Sequence, residues 1–177
     1  MRYAQIRELD ISNGEGVGVA LFVQGCPFHC YNCFNPDTWD FNGGKEWTQE
    51  TEDKLIELAN RPYIKRLSIL GGEPLADENL DGVLHLVNRF RLLFPNKSIW
   101  LYSGFRWSEI FNGGVYLTKD CAGWKRREII KQCNVLVDGR YIDSKRDITL
   151  KWRGSSNQRV IDTRKSLEQN KVVLYCD

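Results

Sequence analysis

Three cysteines fall within eight residues, Cys26-Pro27-Phe28-His29-Cys30-Tyr31-Asn32-Cys33, with three residues and then two between the thiols. They follow an apolar run, Val19-Ala20-Leu21-Phe22-Val23. Neighbours so close in sequence cannot all point into one packed interior, so ordinary burial of free cysteine does not account for them. Three thiolates on one short loop can instead serve a metal centre. A closed zinc site takes four protein ligands, and an iron–sulfur cube held by four cysteines is coordinatively full. A cube held by Cys26, Cys30 and Cys33 keeps one iron open to a small molecule. The competing set is zinc on the same thiols plus His29, a structural module without chemistry. Against it, His29 sits between the first two thiols and its ring would have to fold back into its own loop. Disulfides across such short loops would be strained. The open iron–sulfur centre leads on residues alone.

The rest of the composition narrows the class. A length of 177 residues suits one domain spanning 1–177, with a core of its own. A net charge of +2 gives no bulk electrostatic case for nucleic acid, membrane or an acidic substrate. No stretch approaches 18 apolar residues, and the start Met1-Arg2-Tyr3-Ala4-Gln5 lacks the apolar core of a signal peptide. Three clustered cysteines and three scattered ones (Cys121, Cys133, Cys176) fit a reducing cytoplasm with one metal site.

The periodicity predicts alternating strands and helices. Residues 18–24 are short, continuous and apolar, the pattern of a strand covered on both faces. The cysteine loop leaves its C-terminal end, where parallel α/β proteins place their chemistry. Thr48 can cap a helix reaching about Asn60. Arg66–Leu70 reads as a second strand, and Leu80, Val83, Leu84, Val87, Phe90 and Phe94 mark one face of a helix from Asn79 to Phe94. His85 lies off that stripe and reads as a surface residue. Ser98–Tyr102 and Asn134–Val137 are further strands, with a short helix near Trp107–Phe111. The basic stretch Lys119–Lys131 reads as a solvated helix face, residues 1–17 as a polar-apolar segment ending in a turn, 152–158 as ordered loop, and Val172–Tyr175 as a last strand or docked tail. Strands separated by crossover-length helices predict a parallel sheet. The chain is too short for eight βα units, so an incomplete, laterally open parallel βα barrel of five or six strands is expected.

A second motif ends the second strand: Gly71-Gly72-Glu73-Pro74. The glycines admit close approach of a ligand to the backbone, whose N–H groups can bind a carboxylate. Glu73 offers a charge-assisted partner to an ammonium. A ligand with both groups on one carbon is an amino acid.

The cysteine spacing resembles that of the radical S-adenosylmethionine superfamily, and Gly71–Pro74 its methionine-amino-group motif. Asp10-Ile11-Ser12-Asn13-Gly14, Cys33-Phe34-Asn35 with Thr38-Trp39, Tyr102-Ser103-Gly104-Phe105, Val135–Gly139 and Trp152-Arg153-Gly154-Ser155-Ser156-Asn157-Gln158 are similar to the activating proteins of anaerobic ribonucleoside-triphosphate reductase. The resemblance reaches about Gln158. It implies a [4Fe–4S] cluster on Cys26, Cys30 and Cys33 whose open iron chelates S-adenosylmethionine, reductive cleavage to a 5′-deoxyadenosyl radical, and a glycyl radical installed on the reductase. It implies reduced flavodoxin or a similar protein as electron donor. The cofactor is expected to meet Asn32, Cys33, Phe34, Gly71, Gly72 and Glu73, and, from their places at strand ends, Ser103 and Asp138. Where superfamily members often carry an aromatic residue before the third cysteine this chain has Asn32, which leaves Phe34 or the backbone of 32–34 for the adenine. Residues 112–124, including Cys121, look like a local insertion. The other enzyme reading is a short member of the superfamily acting on a small molecule, of the deazaguanine-synthase type.

Overall fold

The computed structural model describes residues 1–111 and 121–176. The four expected strands form as β2 (Gly18–Val23), β4 (Arg66–Gly71), β5 (Ser98–Ser103) and β6 (Val135–Asp138), each pairing in parallel with the next. They are the centre of a wider sheet. β1 (Arg2–Asp10) runs antiparallel to β2 on one side and carries the two-residue β3 (Lys45–Glu46). β7 (Arg159–Asp162) and β8 (Leu174–Cys176) continue it antiparallel beyond β6. The order is β3-β1-β2-β4-β5-β6-β7-β8 among the described residues. Eight strands with antiparallel edges thus replace the expected five or six parallel ones. β8 overlaps the stretch Val172–Tyr175 read as a last strand or docked tail, while β1, β3 and β7 evaded the periodicity for a physical reason: antiparallel strands need no crossover helix, and one face of β1 stays wet, so its sequence RYAQIRELD carries charges where a buried strand cannot.

Alternation along the central strands sorts side chains onto two faces. Val19, Leu21, Val23, Leu67, Ile69, Ile99, Leu101 and Leu136 pack with the helices in one large core. Those helices are α1 (Gln49–Asn60), α2 (Leu80–Leu93), α3 (Trp107–Phe111), α4 (Ala122–Gln132) and α5 (Thr163–Gln169). Thr48 caps α1 as expected, accepting the Thr51 amide at 3.2 Å. On α2, Leu86 joins Leu80, Val83, Val87 and Phe90 in full burial, while His85 is exposed beside Glu52. The opposite sheet face carries Ala20, Phe22, Leu70, Trp100, Val135, Val137 and Val160, with Tyr102 against both groups. Among the described residues no α-helix packs on that face. The loop between β6 and β7 lies over it and leaves a cavity.

The turn at Asn13–Gly16 is anchored from below. Arg66, fully buried, donates through Nη2 to Asp10 Oδ2 at 2.7 Å and to the Asp10 carbonyl at 2.9 Å. Its Nη1 reaches Ser68 Oγ at 2.5 Å, and Ser68 in turn donates to the Asn13 carbonyl. A buried cation is tolerable only when paired and hydrogen-bonded in this way.

Within its described part, residues 121–131, the basic stretch is not simply a solvated face. Lys125 pairs with Asp81 at 2.6 Å, Arg126 with Asp77 and the Leu75 carbonyl, and Arg127 donates to the carbonyls of Ile110 and Phe111. These cations fasten α4 to its neighbours. Of the 112–124 insertion, residues 112–120 lie outside the described residues; Cys121 begins the ordered part as N-cap of α4, its sulfur accepting the Trp124 amide at 3.4 Å.

Candidate metal and cofactor site

The cysteine loop turns sharply because two residues take left-handed backbone conformations, His29 (φ 44°) and Asn32 (φ 53°). Each stands immediately before a cysteine, and histidine and asparagine are among the side chains that enter this region at least cost. The loop is closed by the Cys33 amide donating to the Cys30 carbonyl at 3.0 Å. It is tied down by Gly25 N–H to the Thr38 carbonyl (2.8 Å) and Cys26 N–H to the Trp39 carbonyl (3.0 Å). Asn32 is exposed and its amide reaches Asp143 at 3.2 Å, so it serves loop geometry rather than the cavity.

The diglycine turn joins this loop directly. Gly71 has φ 102°, a conformation that favours glycine, and Gly72 passes so close that a Cβ there would lie 2.4 Å from the Gly25 carbonyl oxygen. The Gly72 amide donates to the Val23 carbonyl at 2.9 Å, and the Glu73 amide to that of Gly25 at 2.7 Å. Asn79, buried, fastens both sides, its Nδ2 donating to the carbonyls of Gln24 and Glu73 at 3.0 Å each.

Glu73 is 1% exposed. Its Oε1 accepts from the Leu75 amide and the Ser103 hydroxyl, both at 2.8 Å, and its Oε2 from the Gly104 amide at 2.7 Å. A carboxylate has about four acceptor positions. Three are filled, leaving one for a cationic ligand. Burial pushes its pKa from 4.5 up to about 7, against the pull of these donors and of Arg126.

Cys26, Cys30, Cys33, Phe34, Gly71, Gly72, Glu73 and Ser103 all line one cavity of about 620 Å³, within the range of small-molecule sites. Asp138 does not. Its carboxylate accepts from Arg159 through both oxygens and from the Trp107 amide at 2.8 Å, holding β7 and α3 in place. The structure adds residues to which no role was given: Trp39, Tyr102, Tyr141, Trp152, Arg153, Gly154 and Gln158 also line the cavity. The last four belong to the Trp152–Gln158 segment. Gln158 shapes it, accepting the amides of Gly154 (3.0 Å) and Ser155 (3.1 Å) and donating to the Gly139 carbonyl (3.0 Å). Gly154 lets the Phe34 ring in, because a Cβ there would stand 2.6 Å from it. Phe34 also meets Tyr141 edge-on at 5.1 Å.

Among the described residues no three His, Cys, Asp or Glu side chains gather tightly enough for one metal ion. His29 stacks on Trp39 (4.7 Å, 21°) and lies outside the cavity lining, so the zinc set of three thiols and His29 is not assembled. A cube makes a different demand. It meets each thiolate through a separate iron, so thiols ranged around a cavity beside an open volume suit it. Burial raises the pKa of Cys26 and Cys30, a penalty that bound cationic iron offsets. Cys121, Cys133 and Cys176 are not among the residues that line the cavity. Cys133 is fully buried, its thiol donating to the Ile129 carbonyl at 3.3 Å, and burial pushes it up to about 12.

Residues 12–161 match a family described as a 4Fe-4S single cluster domain. The chain is 39% identical over 162 residues to the anaerobic ribonucleoside-triphosphate reductase-activating protein of Salmonella typhi, covering 90% of this chain and 97% of that one. It is 38% identical to the protein of the same name from Escherichia coli K12, with the same coverage. It is 34% identical to that of Enterobacteria phage T4, covering 90% of this chain and 93% of the phage protein. A joined cysteine loop and diglycine turn, set in a single-cluster domain shared almost end to end with these enzymes, place the chain in the anaerobic ribonucleoside-triphosphate reductase-activating protein family.

Proposed function

We propose that the chain holds a [4Fe–4S] cluster on Cys26, Cys30 and Cys33, binds S-adenosylmethionine at the open iron and the diglycine turn, and installs a glycyl radical on an anaerobic ribonucleoside-triphosphate reductase. The supporting observation is the 2.7 Å bond from the Glu73 amide to the Gly25 carbonyl, which makes cysteine loop and turn one wall of one cavity. When bound, the reduced cluster and S-adenosylmethionine supply a 5′-deoxyadenosyl radical that takes a hydrogen atom from a glycine.

The chain's own work is to bind, orient and exclude water. Glu73 offers its one free acceptor position to the methionine ammonium, and Ser103 with the Gly104 amide keeps that carboxylate aimed. Phe34 offers its ring to the adenine, with Cys33 beside it in the lining, while Asn32 shapes the loop that presents them. Asp138 acts only through the framework it holds together. The helix-free face of the sheet is the inside of an incomplete barrel, and its lateral opening admits the reductase segment. Phe34 (59% exposed) and Ile148 (85% exposed) line the cavity and still face solvent, as a rim that a protein partner covers would. A reduced flavodoxin or similar protein in the cytoplasm is the electron source.

Anaerobic reconstitution with iron and sulfide, followed by S-adenosylmethionine, a reductant and a candidate reductase, tests the reading. A glycyl doublet by electron paramagnetic resonance is expected, and Cys30→Ala is expected to lose cluster, cofactor cleavage and doublet together. Uptake of zinc alone would overturn it.

A further inference from the structure

A ligand whose ammonium and carboxylate share one carbon needs a partner for each. Glu73 serves the first, but the backbone donors expected for the second are taken. In the diglycine turn, the Gly72 amide is spent on the Val23 carbonyl at 2.9 Å and the Glu73 amide on that of Gly25 at 2.7 Å. The neighbouring amides are spent as well. Those of Leu75 and Gly104 donate to the Glu73 carboxylate, that of Phe105 to Ser103 Oγ at 3.0 Å, and that of Gly139 to the Phe105 carbonyl at 3.3 Å. A carboxylate brought out of water without donors is costly, so its partner has to be a side chain.

Three arginines belong to the cavity lining, Arg7, Arg140 and Arg153. Arg153 already gives Nη1 to the Gln158 carbonyl at 3.4 Å. Arg7 lies over the Phe22 ring from mid-strand, opposite Ala20 and away from the strand ends where the two motifs meet. Arg140 differs from both. Its backbone is pinned, the Arg140 carbonyl accepting Asn157 Nδ2 at 2.8 Å and the Gly139 carbonyl accepting Gln158 Nε2 at 3.0 Å. Its side chain is exposed, and it makes no hydrogen bond or ion pair among the described residues. The guanidinium carbon sits 4.3 Å from the centre of the ring of Phe28, which stands between Cys26 and Cys30. A Cβ on Gly104 would lie 2.4 Å from that ring and 3.4 Å from Arg140 Cγ. The amide of the same glycine holds Glu73 Oε2 at 2.7 Å, so carboxylate and cation flank one residue. Resting on the reading of the cavity as the S-adenosylmethionine site, we propose that Arg140 receives the methionine carboxylate while Glu73 takes the ammonium. A guanidinium presents five donors in a planar fork that suits a carboxylate. The ring beneath holds that fork in place without consuming a donor.

The test titrates anaerobically reconstituted full-length protein by calorimetry with S-adenosylmethionine and with its decarboxylated form, which keeps the ammonium and the sulfonium. Arg140→Met is expected to hold iron and sulfide as wild type does and to bind S-adenosylmethionine about tenfold or more weakly. The decarboxylated form should bind Arg140→Met and wild type alike. Arg140→Lys, which keeps a cation over Phe28, should recover part of the loss, and Arg7→Met should show none of it. Equal losses for the two ligands, no loss, a carboxylate-dependent loss in Arg7→Met alone, or Arg140→Lys binding as weakly as Arg140→Met each overturn the proposal. Where the decarboxylated form binds too weakly to titrate, the recovery in Arg140→Lys decides. Should Arg140→Met load no cluster, Arg140→Lys is compared with wild type, and weaker binding of S-adenosylmethionine is expected; unchanged binding, or loss of the cluster there too, overturns the proposal. A wild-type protein that takes up no iron and sulfide, or that loads and binds no S-adenosylmethionine, overturns the proposed function itself.

Discussion

The Ser103 hydroxyl donates to Glu73 Oε1 at 2.8 Å, while the next residue's amide holds the other carboxylate oxygen at 2.7 Å. The end of β5 thereby aims the carboxylate that ends β4. Ser103→Ala removes one of three donors and lets the carboxylate tilt. A hydrogen bond to a charged group contributes about 1.5–3 kcal/mol, so S-adenosylmethionine affinity is expected to fall by about tenfold or more. Titration calorimetry on the reconstituted protein measures this, and Ser103→Thr should recover most of the loss. Unaltered affinity in Ser103→Ala would remove the assigned role.

Glu73 also sets a pH dependence. Its carboxyl titrates at 4.5 when unperturbed and at about 7 in the fold. Between those values the native state binds more protons than the unfolded chain, so stability falls as pH rises through the window. The whole shift corresponds to roughly 3 kcal/mol. Thermal melts of the metal-free protein from pH 4.5 to 8 should show this decline, and Glu73→Gln should flatten it whatever its absolute stability. Cofactor affinity runs the other way, since an ammonium needs the carboxylate: it should weaken as pH drops below about 7.

Gly72→Ala tests the junction between the motifs. The added methyl would stand 2.4 Å from the Gly25 carbonyl oxygen and 3.0 Å from that of Thr38, both backbone atoms that cannot swing aside. The expected result is loss of the Glu73–Gly25 hydrogen bond, with cluster retention and cofactor binding both reduced. Iron analysis after gel filtration and a binding isotherm measure the two losses. A variant losing neither would mean that the loop and the turn are independent.

Asp10→Ala strips Arg66 of its carboxylate partner in a site where that side chain is wholly buried. Removing one member of a buried pair costs about 3–5 kcal/mol, because the remaining charge stays desolvated. Urea unfolding should show a midpoint lowered accordingly, with the slope unchanged. A loss below about 1 kcal/mol would show that Ser68 and the backbone carbonyl suffice for the guanidinium.

The parallel centre of the fold was legible because β2, β4, β5 and β6 are buried on both faces and must be written in apolar residues. β1 and β7 were not, since antiparallel strands outside the crossover units leave no such signature, whereas β8 overlaps the stretch Val172–Tyr175 read as a last strand or docked tail. At the site, Cys26, Cys30, Cys33 and the Gly71–Glu73 turn could be read because their chemistry depends on spacing along the chain. Ser103 was named for its position at a strand end, and its hydroxyl serves Glu73. Asp138 was named on the same ground, but its partner is Arg159, across the β6–β7 pair. Nothing local in the sequence distinguishes the two cases. Trp39, Tyr102 and Arg153 lay in strings recognised by resemblance alone; their place in the cavity lining is visible only once the chain is folded.

Asn79 grips the carbonyls on either side of the junction, one from the strand that feeds the cysteines and one from Glu73 itself. On the proposed reading, the two guests of the cavity share a single hinge. Iron that stiffens the loop also sets the seat for the methionine end, which favours loading metal first and sulfonium second. Oxygen damage to the inorganic core would slacken both berths at once, so an air-exposed molecule should release its organic cofactor along with its iron.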